Sequence, residues 1–260
     1  MSLKTIRNLL VMILVLMTSS AMAATAVERV KKAGKLMVAI DSTYPPMESD
    51  GPDGKPVGFD IDFANELAKR LGVKAEFLVM GWDGIIPGLQ SKRYDVIISS
   101  MNITADRAKQ VDFVEYVKMS QLFVAKKGMI VSTEKDLAGK IIAVQADTTS
   151  AEFVENKKKA GVAIKDVKQF RLATDAFAAV KSGQAEVIVI DEPVGKYYAK
   201  QDAASFQVTG RAMAPEPVGV AIRKDDADLT KAIGAAVEAM RKDGTLKKMS
   251  ETWFGGELGA

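Results

Sequence analysis

The fold is decided by two stretches that resemble each other, "LQSKRYDVIISS" (Leu89–Ser100) and "VKSGQAEVIVID" (Val180–Asp191). Each is a small polar turn, an acidic residue, three or four β-formers and a polar end. A second pair precedes them, "GKLMVAID" from Gly34 and "GKIIAVQAD" from Gly139. Apolar runs bounded by turn residues and separated by helical patterns read as a parallel α/β sheet. "KLMVAI" (35–40) is a strand, and "DIDFANELAKRLG" is a helix whose Ile61, Ala64, Leu67, Ala68 and Leu71 share one face. "KAEFLV", "WDGIIPGLQSK" and "YDVIIS" continue strand, helix, strand. Because the unit recurs, the chain is expected to form two Rossmann-like α/β lobes rather than one large sheet. The predicted boundaries are residues 24–119 with 216–260 for a discontinuous first lobe and 120–215 for the second. The join "VDFVEYVKMSQLFVAKKG" (111–128) is β-like and carries no flexible linker. With a return strand at "PVGVAIRKDDADL", it makes a two-segment hinge suited to closing on a ligand.

The N-terminus reads as an export signal. Lys4 and Arg7 precede the apolar run Leu9 to Met17, and Ala21-Met22-Ala23 is a small-x-small cleavage site. The run is far shorter than the roughly 20 residues a membrane span needs. No cysteine follows the cleavage site to carry a lipid, so residues 1–23 are expected to be removed and no membrane anchor is expected. Without cysteine or histidine, disulfides, thiolate sites and His-based triads are excluded. The formal charge of +3 falls to +1 once Lys4 and Arg7 are removed, which is not the basic field of a nucleic-acid binder. No cofactor or metal is expected.

Open parallel α/β sheets bind ligands beyond the carboxyl ends of their strands. That rule selects Asp41 to Tyr44 and Ser99 to Arg107 in the first lobe, and Gln145 to Ser150 and Asp191 in the second. The loops therefore put forward Ser99, Ser100, Met101, Asn102 and Thr148 as well as the residues with more pointed chemistry. Together they suit an amino-acid zwitterion. Arg107, Asn102 and Thr149 can donate to a carboxylate. Asp191, with Ser100 opposite, can accept from an ammonium. Tyr44 and Trp82 offer flat faces to a side chain, where Asp41 supplies a negative charge and Gln145 a neutral hydrogen-bonding group. Plainer readings stand beside these. Arg107 would be an exposed residue of a short helix capped by Thr104. Asp191 and the Thr148–Ser150 hydroxyls would be helix caps, and the two aromatics would be core.

Beyond these residues, the chain resembles the polar amino-acid-binding proteins of ABC importers, solute-binding protein family 3 with the type-II periplasmic fold. The resemblance rests on "DSTYPPME", "GKPVGFDIDFANELAKRLG", "WDGIIPGLQSKRYDVIISSMNIT", "DRAKQVDF", "VIVIDEP", "GVAIRKDDADL" and "DGTLKKMSETWFG", in order through the mature chain. It implies a periplasmic, monomeric, non-enzymatic receptor that closes on an L-amino acid and delivers it to a membrane ABC permease. It also implies Arg107 as carboxylate clamp, Asp191 as ammonium partner, Ser100, Asn102 and Thr149 as zwitterion contacts, and Tyr44 and Trp82 as a side-chain sandwich. Asp41 stands where members that bind cationic or amide side chains keep an aspartate. Arginine is the first expectation, then lysine, histidine or glutamine. Asp147 departs from the glycine usual in its loop, which would be costly if that position needs φ > 0. A periplasmic dehydratase of prephenate or arogenate on the same scaffold is the alternative. It would need a poised carboxyl acid, for which Glu192 and Asp147 are the candidates.

Overall fold

The computed structural model describes residues 24–256 and 258; the expected export signal, residues 1–23, lies outside the described residues. The chain opens with helix α1 (Ala26–Ala33) and strand β1 (Lys35–Ile40). A small antiparallel flap follows, made of β2 (Thr43–Tyr44), β3 (Glu48–Asp50) and β4 (Pro56–Val57). Next come α2 (Phe59–Arg70), β5 (Lys74–Val79), a 3-10 turn at Trp82–Gly84, α3 (Ile85–Gln90) and β6 (Val96–Ile97). Helix α4 (Ala105–Gln110) then leads into β7 (Asp112–Met119) and β8 (Gln121–Lys126). The second half runs β9 (Ile141–Gln145), α5 (Thr149–Lys159), β10 (Asp166–Phe170), α6 (Ala173–Lys181), β11 (Val187–Asp191) and α7 (Glu192–Gln201). It closes with β12 (Phe206–Thr209), β13 (Glu216–Ile222), α8 (Ala227–Lys242) and α9 (Thr245–Phe254).

Two five-stranded sheets result, ordered β5-β1-β6-β13-β7 and β10-β9-β11-β8-β12. The repeated βαβ units supply the parallel pairs, β1 with β5 and β6, and β9 with β10 and β11. The sheets are mixed rather than purely parallel, because β13 in one and β8 in the other run antiparallel to their neighbours. The chain passes between the sheets at Ser120 and again between Thr209 and Glu216. The two crossings lie together, with Glu216 paired to Met119 and the Met213 N–H donating to the Gln121 carbonyl at 2.7 Å.

Helix α2 buries the predicted Ile61, Ala64, Leu67 and Ala68, and Phe63 joins them. One strand is shorter than expected. β6 keeps only Val96 and Ile97, and side chains join the backbone bonds on either side of it. The Met37 N–H donates to Asp95 Oδ2 at 2.9 Å, and the Asp41 N–H donates to Ser99 Oγ at 2.9 Å. The flap reaches its place through Gly58, at φ 143°. A Cβ there would lie 2.1 Å from the Met47 carbonyl oxygen, so only glycine lets the flap cross the start of α2. That crossing sets Glu48 next to Asp60.

Candidate binding cleft

The carboxyl ends of β1, β6, β9 and β11 meet at one cavity. Its first-lobe wall is Asp41, Tyr44, Glu48, Trp82, Ser99, Ser100 and Asn102. Its second-lobe wall is Gln145, Thr148, Thr149, Ser150 and Asp191. Hydrogen bonds join the walls directly. Gln145 Nε2 donates to Asp41 Oδ2 at 2.8 Å, and the Tyr44 hydroxyl donates to Asp191 Oδ2 at 2.8 Å. Thr149 Oγ1 donates to Asn102 Oδ1 at 3.2 Å. At the rim, Trp82 Nε1 and Arg107 Nη2 both donate to the Asp147 carbonyl, at 3.0 and 2.9 Å.

The cavity is rich in buried carboxyl groups. Asp41, Glu48 and Asp191 are each no more than 4% exposed, and Asp60 behind Glu48 is fully buried. Asp191 Oδ1 and Glu48 Oε2 are buried oxygens without a hydrogen-bond partner. Burial pushes the Asp191 carboxyl up to about 7; the Tyr44 hydroxyl and Arg107 pull it down, while Glu216 pushes it further up. Glu48 is pushed well above the usual carboxylate range, first by burial and then by the neighbouring Asp60 carboxyl. A buried carboxylate oxygen without a partner is costly unless a cation or donor reaches it.

The cavity wall includes Asp41, Tyr44, Trp82, Ser99, Ser100, Asn102, Gln145, Thr148, Thr149 and Asp191 among the expected residues. Two others lie elsewhere. Met101, 1% exposed, packs into the apolar layer with Ile85, Leu89, Tyr94 and Ile97, because its side chain turns to the sheet while those of its polar neighbours turn away. Arg107 stands at the rim, its Nη1 donating to the Asn102 carbonyl at 3.0 Å and its guanidinium 5.3 Å from the Trp82 ring centre. The helix-cap readings divide. Thr104 and Thr148 do cap their helices, accepting from Arg107 N and Ala151 N, each at 3.2 Å. Asp191 begins α7, yet its side chain makes no cap bond and turns to Tyr44 instead. The serine hydroxyls on the wall are taken up by carboxyls: Ser99 Oγ donates to Glu48 Oε1 at 2.6 Å and Ser100 Oγ to Asp60 Oδ2 at 2.8 Å.

Glu48 is the residue that strand-end reasoning misses. It comes from the flap, outside either βαβ unit, and nothing in "YPPMESD" sets it apart from an exposed turn acid. Ser150 is the lesser omission, inside a selected loop but not singled out. Asp147 takes φ 60°, so the left-handed conformation expected of a glycine there is carried by an aspartate. That turn points its carbonyl at Trp82 and Arg107.

Two α/β lobes, connected by two adjacent crossings and closed on a buried polar cavity, define a protein that binds by enclosure. The chain belongs to the bacterial extracellular solute-binding proteins, family 3, the match spanning residues 36–256. It is similar to the L-cystine-binding protein TcyJ of Escherichia coli K12, 36% identical over 233 residues covering 88% of this chain and 86% of the relative. Among solved structures, an ancestral arginine-binding protein bound to arginine is 43% identical with a TM-score of 0.81, covering 85% of this chain and 99% of that one. The ancestral amino acid-binding protein AncCDT-1, a precursor of cyclohexadienyl dehydratase, is 37% identical with a TM-score of 0.81, covering 88% of this chain and 100% of its own. These relatives are binding proteins rather than enzymes, and this chain is one as well. Among the described residues no helix is long and apolar enough to cross a membrane.

Proposed function

We propose that the protein is a periplasmic receptor that encloses a cationic L-amino acid, arginine foremost, and delivers it to an ABC permease. The observation that carries this reading is the pair of unpartnered buried oxygens, Asp191 Oδ1 and Glu48 Oε2, on one cavity. Asp191 takes the α-ammonium, already fixed by the Tyr44 hydroxyl on its other oxygen. Asp41 and Glu48, linked through Ser99, take the side-chain cation. Trp82 and Tyr44 flank the alkyl stem, and a cation beside such rings gains about 0.5–2 kcal/mol. Arg107 receives the α-carboxylate. Only two of its five N–H groups are bonded to protein oxygens, and its bond to the Asp147 carbonyl breaks and re-forms as the lobes open and close.

Physical chemistry separates arginine from the ligands that the relatives' names suggest. Cystine would bring a second ammonium but also a second carboxylate, which would add negative charge beside Asp41 and Glu48. Glutamine would satisfy Asp41 with its amide yet leave more negative charge uncompensated. Residues 1–23 act as the cleaved export signal, so N-terminal sequencing of the exported protein should begin at Ala24. The test of the ligand is calorimetric titration of protein stripped by unfolding and refolding, against the twenty amino acids and cystine. Arginine should bind tightest; tightest binding of an acidic or aliphatic amino acid would overturn the cationic reading.

A further inference from the structure

Behind the cavity wall lies a second carboxyl group that direct ligand contact does not require. Glu48 and Asp60 sit side by side, 1% and 0% exposed, held together by the close crossing of the flap at Gly58. The Asp60 N–H donates to the Met47 carbonyl at 2.9 Å, which fixes the spacing from the backbone. The hydroxyl donors around them are few and already assigned. Ser99 Oγ serves Glu48 Oε1 at 2.6 Å, Ser100 Oγ serves Asp60 Oδ2 at 2.8 Å, and the Tyr116 hydroxyl serves Asp60 Oδ1 at 2.6 Å. Glu48 Oε2 is left over, buried and without a partner, on a residue that lines the cavity.

The other charged or titratable groups facing the pair are Asp41 at the end of β1 and Tyr44 in the flap. Tyr116 reaches it from β7, and no lysine or arginine pairs with either carboxyl among the described residues. Two adjacent carboxylates in a dry setting with no cation cannot both stay ionised. One proton between Glu48 Oε2 and Asp60 relieves both the repulsion and the missing hydrogen bond.

We infer that Glu48 and Asp60 share one proton in the empty cleft, and that a ligand with a cationic side chain displaces it, so that the pair reads side-chain charge. This rests on the proposed amino-acid function. The step balances simply: the Glu48 O–H bond breaks, its proton passes to solvent buffer, and the carboxylate left behind pairs with the incoming cation. A neutral ligand of the same shape leaves the proton in place. Discrimination between the two then grows with pH, by up to about tenfold per unit while the pair is protonated in the empty protein and ionised in the complex.

The test compares arginine with citrulline, its neutral isostere, by calorimetry at pH 7 in buffers of different ionisation enthalpy. Proton release linked to Asp191 is common to both ligands and cancels. Arginine should release up to one proton more than citrulline, and Glu48→Gln should abolish that excess. Infrared difference spectra of the wild type give a second readout that needs no variant. A protonated-carboxyl band present in the empty protein should be lost with arginine and kept with citrulline. Arginine binding with no excess release, with the band retained, or with an excess that survives Glu48→Gln would overturn the inference while leaving the receptor reading intact. Failure of both ligands to bind would overturn the receptor reading instead.

Discussion

The two walls of the cleft are built from the same βαβ unit but carry opposite burdens. The first-lobe wall holds Asp41 and Glu48 backed by Asp60, positioned mostly by Thr43, Ser99, Ser100 and Tyr116 of the same lobe, with Gln145 reaching Asp41 from across the cleft. The second-lobe wall holds a single carboxyl, Asp191, whose one side-chain donor, Tyr44, comes from across the cleft. The first wall is therefore largely set before closure and suited to choosing a side chain. The second is completed only by closure and suited to reporting that an ammonium has arrived.

This contrast can be broken from either side, and the largest effect belongs to the second wall. Asp191→Ala removes the ammonium partner for every ligand, and removing one partner of a buried charge pair costs about 2–5 kcal/mol. Calorimetry should show all amino acids losing affinity by a similar, large factor. Asp41→Asn should act selectively, weakening arginine by about 1–3 kcal/mol while changing glutamine far less. Equal losses for both ligands would mean that the first wall does not choose.

The next effect is one of pH. Asp191 holds its proton up to about 7 in the folded, empty cleft, against a usual value of 3.8. Its contribution to stability is thus fully present below about 4 and is lost as pH rises through about 7. The Tm of the empty protein should fall over that interval, and saturating ligand, which keeps Asp191 ionised against its ammonium, should flatten the dependence. Affinity for a neutral-side-chain ligand should fall as pH drops below about 7, approaching tenfold per unit. A pH-independent affinity from 5 to 8 would remove Asp191 from this role.

The smallest effect concerns the rim. Asp147 sits at φ 60°, and a non-glycine residue in the left-handed region costs about 1–3 kcal/mol. Asp147→Gly also gives the unfolded chain more freedom, which offsets about 0.4–1 kcal/mol. A net gain of about 0.5–1 kcal/mol in denaturant unfolding is expected. Because Trp82 and Arg107 bond the backbone carbonyl of Asp147, affinity should stay nearly unchanged.

The repeated strand ends were legible because burial on both faces leaves long apolar runs that stop abruptly in polar residues. Rules about those ends pick out Asp41, Asn102, Gln145, Thr149 and Asp191, all on the cavity wall. They fail where side-chain direction matters more than position. Met101 turns into the sheet, and the Ser99 and Ser100 hydroxyls, though on the wall, are already bonded to Glu48 and Asp60. In the sequence Asp60 is an ordinary acid at the positive end of a helix, and only the flap crossing at Gly58 turns it into half of a buried pair. Contacts between a flap and a helix start have no periodicity for a sequence to display.

The most direct measurement is a crystal structure of the protein grown with arginine. The α-ammonium is expected on Asp191 Oδ1, the α-carboxylate on Arg107 and the guanidinium against Glu48 and Asp41. A guanidinium turned to the second lobe, or a carboxylate lying against Asp191, would contradict that placement.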